Sequence, residues 1–103
     1  MFDFGKASAT DSGVESFLAT ENAVLLDVRT EEEFRGGRIP KAVNLPLDRI
    51  GEAESLFPKD TAVFVYCRSG ARSARAAAAL KSMGYAEVKN IGGIMSYHGE
   101  VES

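Results

Sequence analysis

The sequence predicts an α/β domain on a mainly parallel sheet, and three observations carry that prediction. Residues 23–28 (Ala-Val-Leu-Leu-Asp-Val) and 62–66 (Ala-Val-Phe-Val-Tyr) are near-continuous apolar runs, the pattern of strands covered on both faces. Segments with helical apolar spacing alternate with them. At 103 residues, 45% hydrophobic and 26% charged, the chain can bury one core without covalent staples, so residues 1–103 read as a single domain.

Residues 12–20 place Val14, Phe17 and Leu18 on a short helical face that stops at Glu21-Asn22. Residues 23–28 follow as the first core strand, interrupted by Asp27. Thr30-Glu31-Glu32-Glu33 is a capping box, with Thr30 able to bind the Glu33 amide and Glu33 able to reach back; Gly36-Gly37 ends that short helix. Its acidic run reads as a capped, solvated face without a substrate role. Residues 39–46 hold a brief extended piece between Pro40 and Pro46. Residues 47–57 then set Leu47, Ile50, Ala53, Leu56 and Phe57 on one helical side, stopped by Pro58. After the second core strand, Ala76, Ala79, Leu80 and Met83 share a helical face closed by Gly84. Residues 87–91 suit a short strand, Gly92-Gly93 a turn and residues 94–101 a last helix.

The one cysteine, Cys67, lies where the second core strand meets Arg68-Ser69-Gly70-Ala71-Arg72-Ser73 and then an alanine-rich helical segment. A Ser/Gly/Ala turn after a buried strand gathers several amide N–H groups around one point, and the next helix directs its unpaired first-turn amides there too. Arg68, Arg72 and Arg75 add cations. Bringing an ordinary thiol, pKa about 8.5, to mostly thiolate at neutral pH takes roughly 2.7 kcal/mol. A helix end supplies about 0.3 to 1 kcal/mol, or about 2 when partly buried, so loop amides and guanidinium groups must provide the rest. A lone cysteine is more commonly a small buried hydrophobe, but a structural cysteine needs none of these neighbours. Cys67 therefore reads as a pre-ionised nucleophile. Ligands of open parallel sheets bind beyond the carboxyl ends of strands, where Asp27 and Arg29 also fall. For Asp27 two roles stand open: orienting an arginine beside the substrate, or a structural ion pair with Arg29 or a loop arginine.

A net charge of −3 gives no basic footprint for nucleic acid. One cysteine forms no internal disulfide, residues 1–6 lack the charged and apolar regions of a signal peptide, and no stretch is long enough to span a membrane. A cytoplasmic protein is the expectation.

Leu25-Leu26-Asp27-Val28-Arg29, Glu33-Phe34, the stretch from Gly37 to Pro46, the Cys67 to Ser73 loop and Gly92-Gly93 together resemble, in order, the signature segments of the rhodanese (thiosulfate sulfurtransferase) family. The resemblance spans about residues 24–98. It implies a three-layer domain whose central, mainly parallel five-stranded sheet is flanked by helices. It implies that Cys67 takes a sulfane sulfur from an anionic, thiosulfate-like donor, becomes a persulfide and passes the sulfur to cyanide or a thiol. Residues Arg68, Ser69, Gly70, Ala71 and Arg72, with Ser73, would form the loop that holds the persulfide, and Arg68 and Arg72 would bind or guide the donor. No metal or organic cofactor is implied. Arg38 and Lys41 stand where the family often has His and Gly, and the Trp common near its last turn is absent.

Rival chemistries fit less well. Cysteine phosphatases and arsenate reductases use Cys, five residues, then Arg; here four residues separate Cys67 from Arg72 and position 73 is Ser. The shorter loop suits a single terminal sulfur rather than a tetrahedral oxyanion. A Cys-His hydrolase needs a base, and His98, the one histidine, reads as a solvent-facing helix residue without a carboxylate to orient it. A non-catalytic binding module would be expected to lose the nucleophile. A relay that takes persulfide sulfur from a donor protein and hands it to a carrier uses the same loop and remains an alternative.

Overall fold

The computed structural model describes residues 7–103. Residues 1–6, read above as lacking a leader, lie outside the described residues. Helix α1 (Ala9–Leu18) precedes strand β1 (Ala23–Asp27), helix α2 (Glu31–Gly36), strand β2 (Val43–Asn44), a 3-10 segment (Leu47–Ser55), strand β3 (Ala62–Cys67), helix α3 (Ala71–Ser82), strand β4 (Val88–Gly93) and a 3-10 turn (Ile94–Ser96). The sheet order is β2-β1-β3-β4, and every neighbouring pair is parallel.

The apolar runs explain the layering. Side chains alternate across a strand, so a run apolar at every position feeds two cores at once. Leu25, Phe64 and Tyr66 face the cluster that holds Val14 of α1 and Ile91. Leu26, Val63, Val65 and Cys67 face the opposite cluster, with Ala53 of the 3-10 segment and Ala76 and Leu80 of α3. The result is the expected three-layer α/β arrangement, with both layers meeting the central strands β1 and β3. None of the described helices is long and apolar enough to cross a membrane.

Several expectations are corrected. Among the described residues the sheet has four strands, not five; the further pairing is one antiparallel bridge between Arg38 and Glu102. Helix α1 begins earlier than residue 12 because Ser8 and Asp11 form a capping box of their own. Residues 47–55 adopt 3-10 rather than α geometry, broken at Arg49 (φ −118°, ψ 17°). A three-residue period places Leu47, Ile50 and Ala53 inward, while Leu56 at the end is exposed. The last helix over 94–101 reduces to the turn Ile94–Ser96, because other elements claim its backbone groups. The Ser8 hydroxyl donates to the Ser96 carbonyl and the His98 amide donates to Asp11, and just beyond the expected helix Glu102 pairs with Arg38. Lys41, at a position where glycine resembles the family better, takes φ +75°, a left-handed conformation that costs a non-glycine residue energy.

Candidate active site

Cys67 ends β3 at the carboxyl edge of the sheet, with only 1% of its surface exposed. The chain then turns through Arg68 and Ser69 to Gly70, whose φ of +109° is the left-handed geometry that glycine tolerates best. Gly70 is the N-cap of α3, and no side chain caps that end, so the first-turn amides face the loop. The Gly70 amide donates to Cys67 Sγ at 3.0 Å, and the Ser73 hydroxyl lies 3.5 Å from the same sulfur. Burial raises the thiol pKa, but hydrogen bonds from the Ser73 hydroxyl and from the Ser73, Gly70 and Ser69 amides outweigh it and bring the pKa below its ordinary value. The thiolate is favoured by backbone and hydroxyl donors, with the guanidinium groups in a lesser role than their number suggests.

Strand β4 holds the loop from the other side. Gly92 and Gly93 are not the expected turn but the end of this strand, paired with Tyr66 and Cys67 after a register shift at Val65/Tyr66. A side chain on Gly93 would overlap the Arg68 carbonyl and Ser69 Cα, so only glycine permits this approach. The Met95 amide also donates to the Arg68 carbonyl, at 3.2 Å. Asn90 completes the clamp. Its Nδ2 donates to the Gly70 carbonyl at 3.3 Å, and its Oδ1 accepts from the Gly92 amide at 3.0 Å and the Ser73 hydroxyl at 2.7 Å.

The arginines separate in role. Arg68 and Arg75 are exposed. Arg72 is engaged: its Nη1 and Nη2 donate to Glu33 Oε1 and Oε2 at 2.8 and 3.0 Å, a two-pronged ion pair across to α2. Arg72 and Arg75 rim a surface groove of about 560 Å3 floored by Val28, Leu47, Ile50 and Ala79. The acidic run is thus not only a solvated face, since Glu33 reaches the loop.

Asp27 and Arg29 bind each other. Asp27 is fully buried, and its carboxylate accepts from the Arg29 amide at 2.9 Å, from Nε at 3.0 and 3.1 Å and from Nη2 at 2.7 Å. Arg29 Nη2 also donates to the Gly37 carbonyl, and its guanidinium lies 5.7 Å from the centre of the Tyr66 ring. Asp27 is ion-paired with Arg29, one of the two roles left open for it. His98 is exposed, as expected, but outside any helix, and a carboxylate does face it: Asp11 Oδ2 lies 2.7 Å from Nδ1.

Two residues joined to the loop escaped sequence reading. Glu33 was visible as half of a capping box and in the signature segment Glu33-Phe34, neither of which points to the loop, and one side chain serves both contacts. Asn90 had no spacing signal; its place two residues before Gly92-Gly93 was the one available hint.

The rhodanese-like domain model matches residues 11–100. A protein of Allochromatium vinosum named "Sulfurtransferase" is 47% identical over 79 residues, 76% of this chain and 74% of the relative. "Thiosulfate sulfurtransferase PspE" of Escherichia coli is 37% identical over 71 residues, 67% of this chain and 68% of the relative. The crystal structure of a rhodanese-like domain protein from Staphylococcus aureus superposes with a TM-score of 0.80 at 31% identity, covering 94% of this chain and 96% of that one. With most of its length matched, and with a parallel sheet carrying the cysteine loop at its carboxyl edge, the chain belongs to the rhodanese-like domain family.

Proposed function

We propose that the protein is a sulfurtransferase in which Cys67 carries a sulfane sulfur from thiosulfate or a similar donor to cyanide or a thiol, without a metal or organic cofactor. The observation that supports this reading most directly is the Cys67 sulfur, which accepts from the Gly70 amide at 3.0 Å and lies 3.5 Å from the Ser73 hydroxyl. In the first half-reaction the thiolate attacks the outer sulfur of thiosulfate. A Cys67 S–S bond forms, the donor S–S bond breaks, and its electron pair leaves on sulfite. The amides of Ser69, Gly70 and Ser73 hold the persulfide anion, and exposed Arg68 guides the anionic donor. In the second half-reaction cyanide or a thiol attacks the outer sulfur, and the electron pair returns to the Cys67 thiolate.

Cys67 is the chain's one cysteine, so no internal thiol can resolve the persulfide. That observation favours a second reading alongside the first, a relay between a donor protein and a sulfur carrier. In both readings the chain works as one domain in a reducing setting such as the cytoplasm. Intact mass before and after incubation with thiosulfate tests the chemistry. The wild type is expected to gain one sulfur atom, lose it to cyanide as thiocyanate, and show ping-pong kinetics. Cys67→Ser is expected to gain none; thiocyanate formation by that variant at the wild-type rate overturns the proposal.

A further inference from the structure

We propose that Glu33 is a specificity-determining positioning residue that neutralises Arg72 and thereby turns the site away from dianionic sulfur donors toward donors of lower charge, such as persulfides. As far as donors are concerned, this rests on Cys67 being the sulfur acceptor.

The geometry supports it in three steps. Arg72 stands in the first turn of α3, the second residue after the loop glycine, so its guanidinium is well placed to meet a donor at the sulfur. Instead both of its terminal nitrogens are bound by the two Glu33 oxygens. Glu33 is itself fixed, because its Oε1 accepts from the Thr30 amide at 2.9 Å and from the Thr30 hydroxyl at 3.2 Å. A carboxylate held by the cap of its own helix does not swing aside at little cost. The pair is about one-third exposed on each side, so a small anion can reach the arginine and must compete with Glu33 for it.

The charge of Glu33 persists across the working range. The hydrogen bond from Arg72 is the main influence, and it holds the carboxyl down to about 2 against the opposing effect of burial. The positive charge of Arg72 is stabilised first by Glu33, and further by the Cys67 thiolate. A free cation here would favour thiosulfate over donors of lower charge. Here an incoming dianion meets an ion pair of no net charge, and the exposed Arg68 and Arg75 remain as the nearby cations.

Glu33→Gln removes the charge while keeping a capping-box residue at that position, so α2 retains its cap. Donors differing by one charge read the effect: thiosulfate, a dianion, and methanethiosulfonate, a monoanion that gives up its sulfur in the same way and releases methanesulfinate. The ratio of kcat/KM for thiosulfate over methanethiosulfonate is expected to rise about threefold in Glu33→Gln, the size of one partly exposed charge interaction. Glu87→Gln, the same charge change at the amino end of β4, is expected to leave the ratio unmoved. Adding Arg72→Gln to Glu33→Gln is expected to cancel the rise.

Alkylation of Cys67 reads the same charge without any sulfur transfer. The rate ratio of anionic iodoacetate to neutral iodoacetamide is expected to rise about threefold in Glu33→Gln, and the alkylation pH profile to move toward lower pH. If the wild type takes sulfur from neither donor, the sulfurtransferase reading fails while the alkylation ratio still decides the role of Glu33. An unchanged or lowered alkylation ratio, or a rise that survives Arg72→Gln, overturns the proposal.

Discussion

Strands β1 and β3 are hydrogen-bonded neighbours that end together at the carboxyl edge of the sheet, with Asp27 opposite Tyr66. Both ends bury an ionisable group almost completely, and they treat it in opposite ways. At β1 the Asp27 carboxylate and the Arg29 guanidinium satisfy each other through three side-chain hydrogen bonds, and Arg29 gives a further one to Gly37. At β3 Cys67 faces donors only, from Gly70, Ser69 and Ser73, with no cation paired directly to it. A buried charge with a full partner is inert scaffold; a buried group offered donors without a counter-ion is stabilised as an anion yet left open to attack an electrophile. Position at a strand end is shared, so what separates reactivity from architecture is whether the local hydrogen bonds close.

The sharpest way to break this contrast is to open the closed pair. Asp27→Asn leaves the Arg29 guanidinium buried without its counter-charge, and removing one partner of a buried pair typically costs about 3 to 5 kcal/mol. Urea denaturation is expected to show that loss, while the folded fraction still alkylates Cys67 with the wild-type pH profile. A variant of unchanged stability, or one whose thiol titration shifts while stability holds, would move Asp27 from the scaffold into the reactive half.

A smaller effect is expected from disturbing the wall that the loop leans on. Gly93→Ala sets a methyl group against the Arg68 carbonyl and Ser69 Cα, which are backbone atoms with little freedom to retreat. Overpacking of this kind costs about 1 to 3 kcal/mol. Because the displaced segment carries the Ser69 and Gly70 amides, the rate of sulfur gain from thiosulfate is expected to fall by more than the stability does. Gly51→Ala, at a glycine with open space around it, serves as the control. Equal, small effects at both glycines would mean that the loop does not depend on the close approach of β4.

The contrast between the two strand ends also marks what could be read from the chain. The central strands were legible because residues 62–66 are apolar at every position and residues 23–28 at every position but Asp27, a signal that needs no tertiary context. The cysteine loop was legible because strand, turn, glycine and helix start are contiguous. Contacts that cross the fold were not. Glu33 meets Arg72 across 39 residues, and Asn90 meets Ser73 across 17, at distances in sequence that no local pattern encodes. The glycine pair at 92 and 93 illustrates the same limit: a local reading sees a turn, whereas β4 needs glycine because another segment's backbone passes beside it. The last helix failed for a related reason, since Asp11 and Ser8 capture its backbone groups from elsewhere and Arg38 pairs with Glu102 just beyond it.

Ser73 tests the open side of the contrast at its finest grain. Its hydroxyl has one hydrogen and four acceptors in reach: Asn90 Oδ1 at 2.7 Å, the Gly70 carbonyl at 3.1 Å, the Gly92 carbonyl at 3.3 Å and Cys67 Sγ at 3.5 Å. Against a neutral thiol the short contact to Asn90 is the better one; against a thiolate the charge draws the hydrogen toward sulfur. Ser73→Ala removes that switching donor and leaves the amides in place. The thiol pKa is expected to rise, moving the alkylation profile to higher pH and slowing iodoacetamide at neutral pH by about threefold. The sign carries over to stability. A lowered thiol pKa stabilises the fold fully above the unfolded value and less as pH falls through the folded one, so the melting-temperature gap between wild type and Ser73→Ala is expected to widen as pH rises through the folded thiol pKa and then to level off. A gap that stays constant with pH would make Ser73 a packing residue and leave the thiolate to the backbone amides alone.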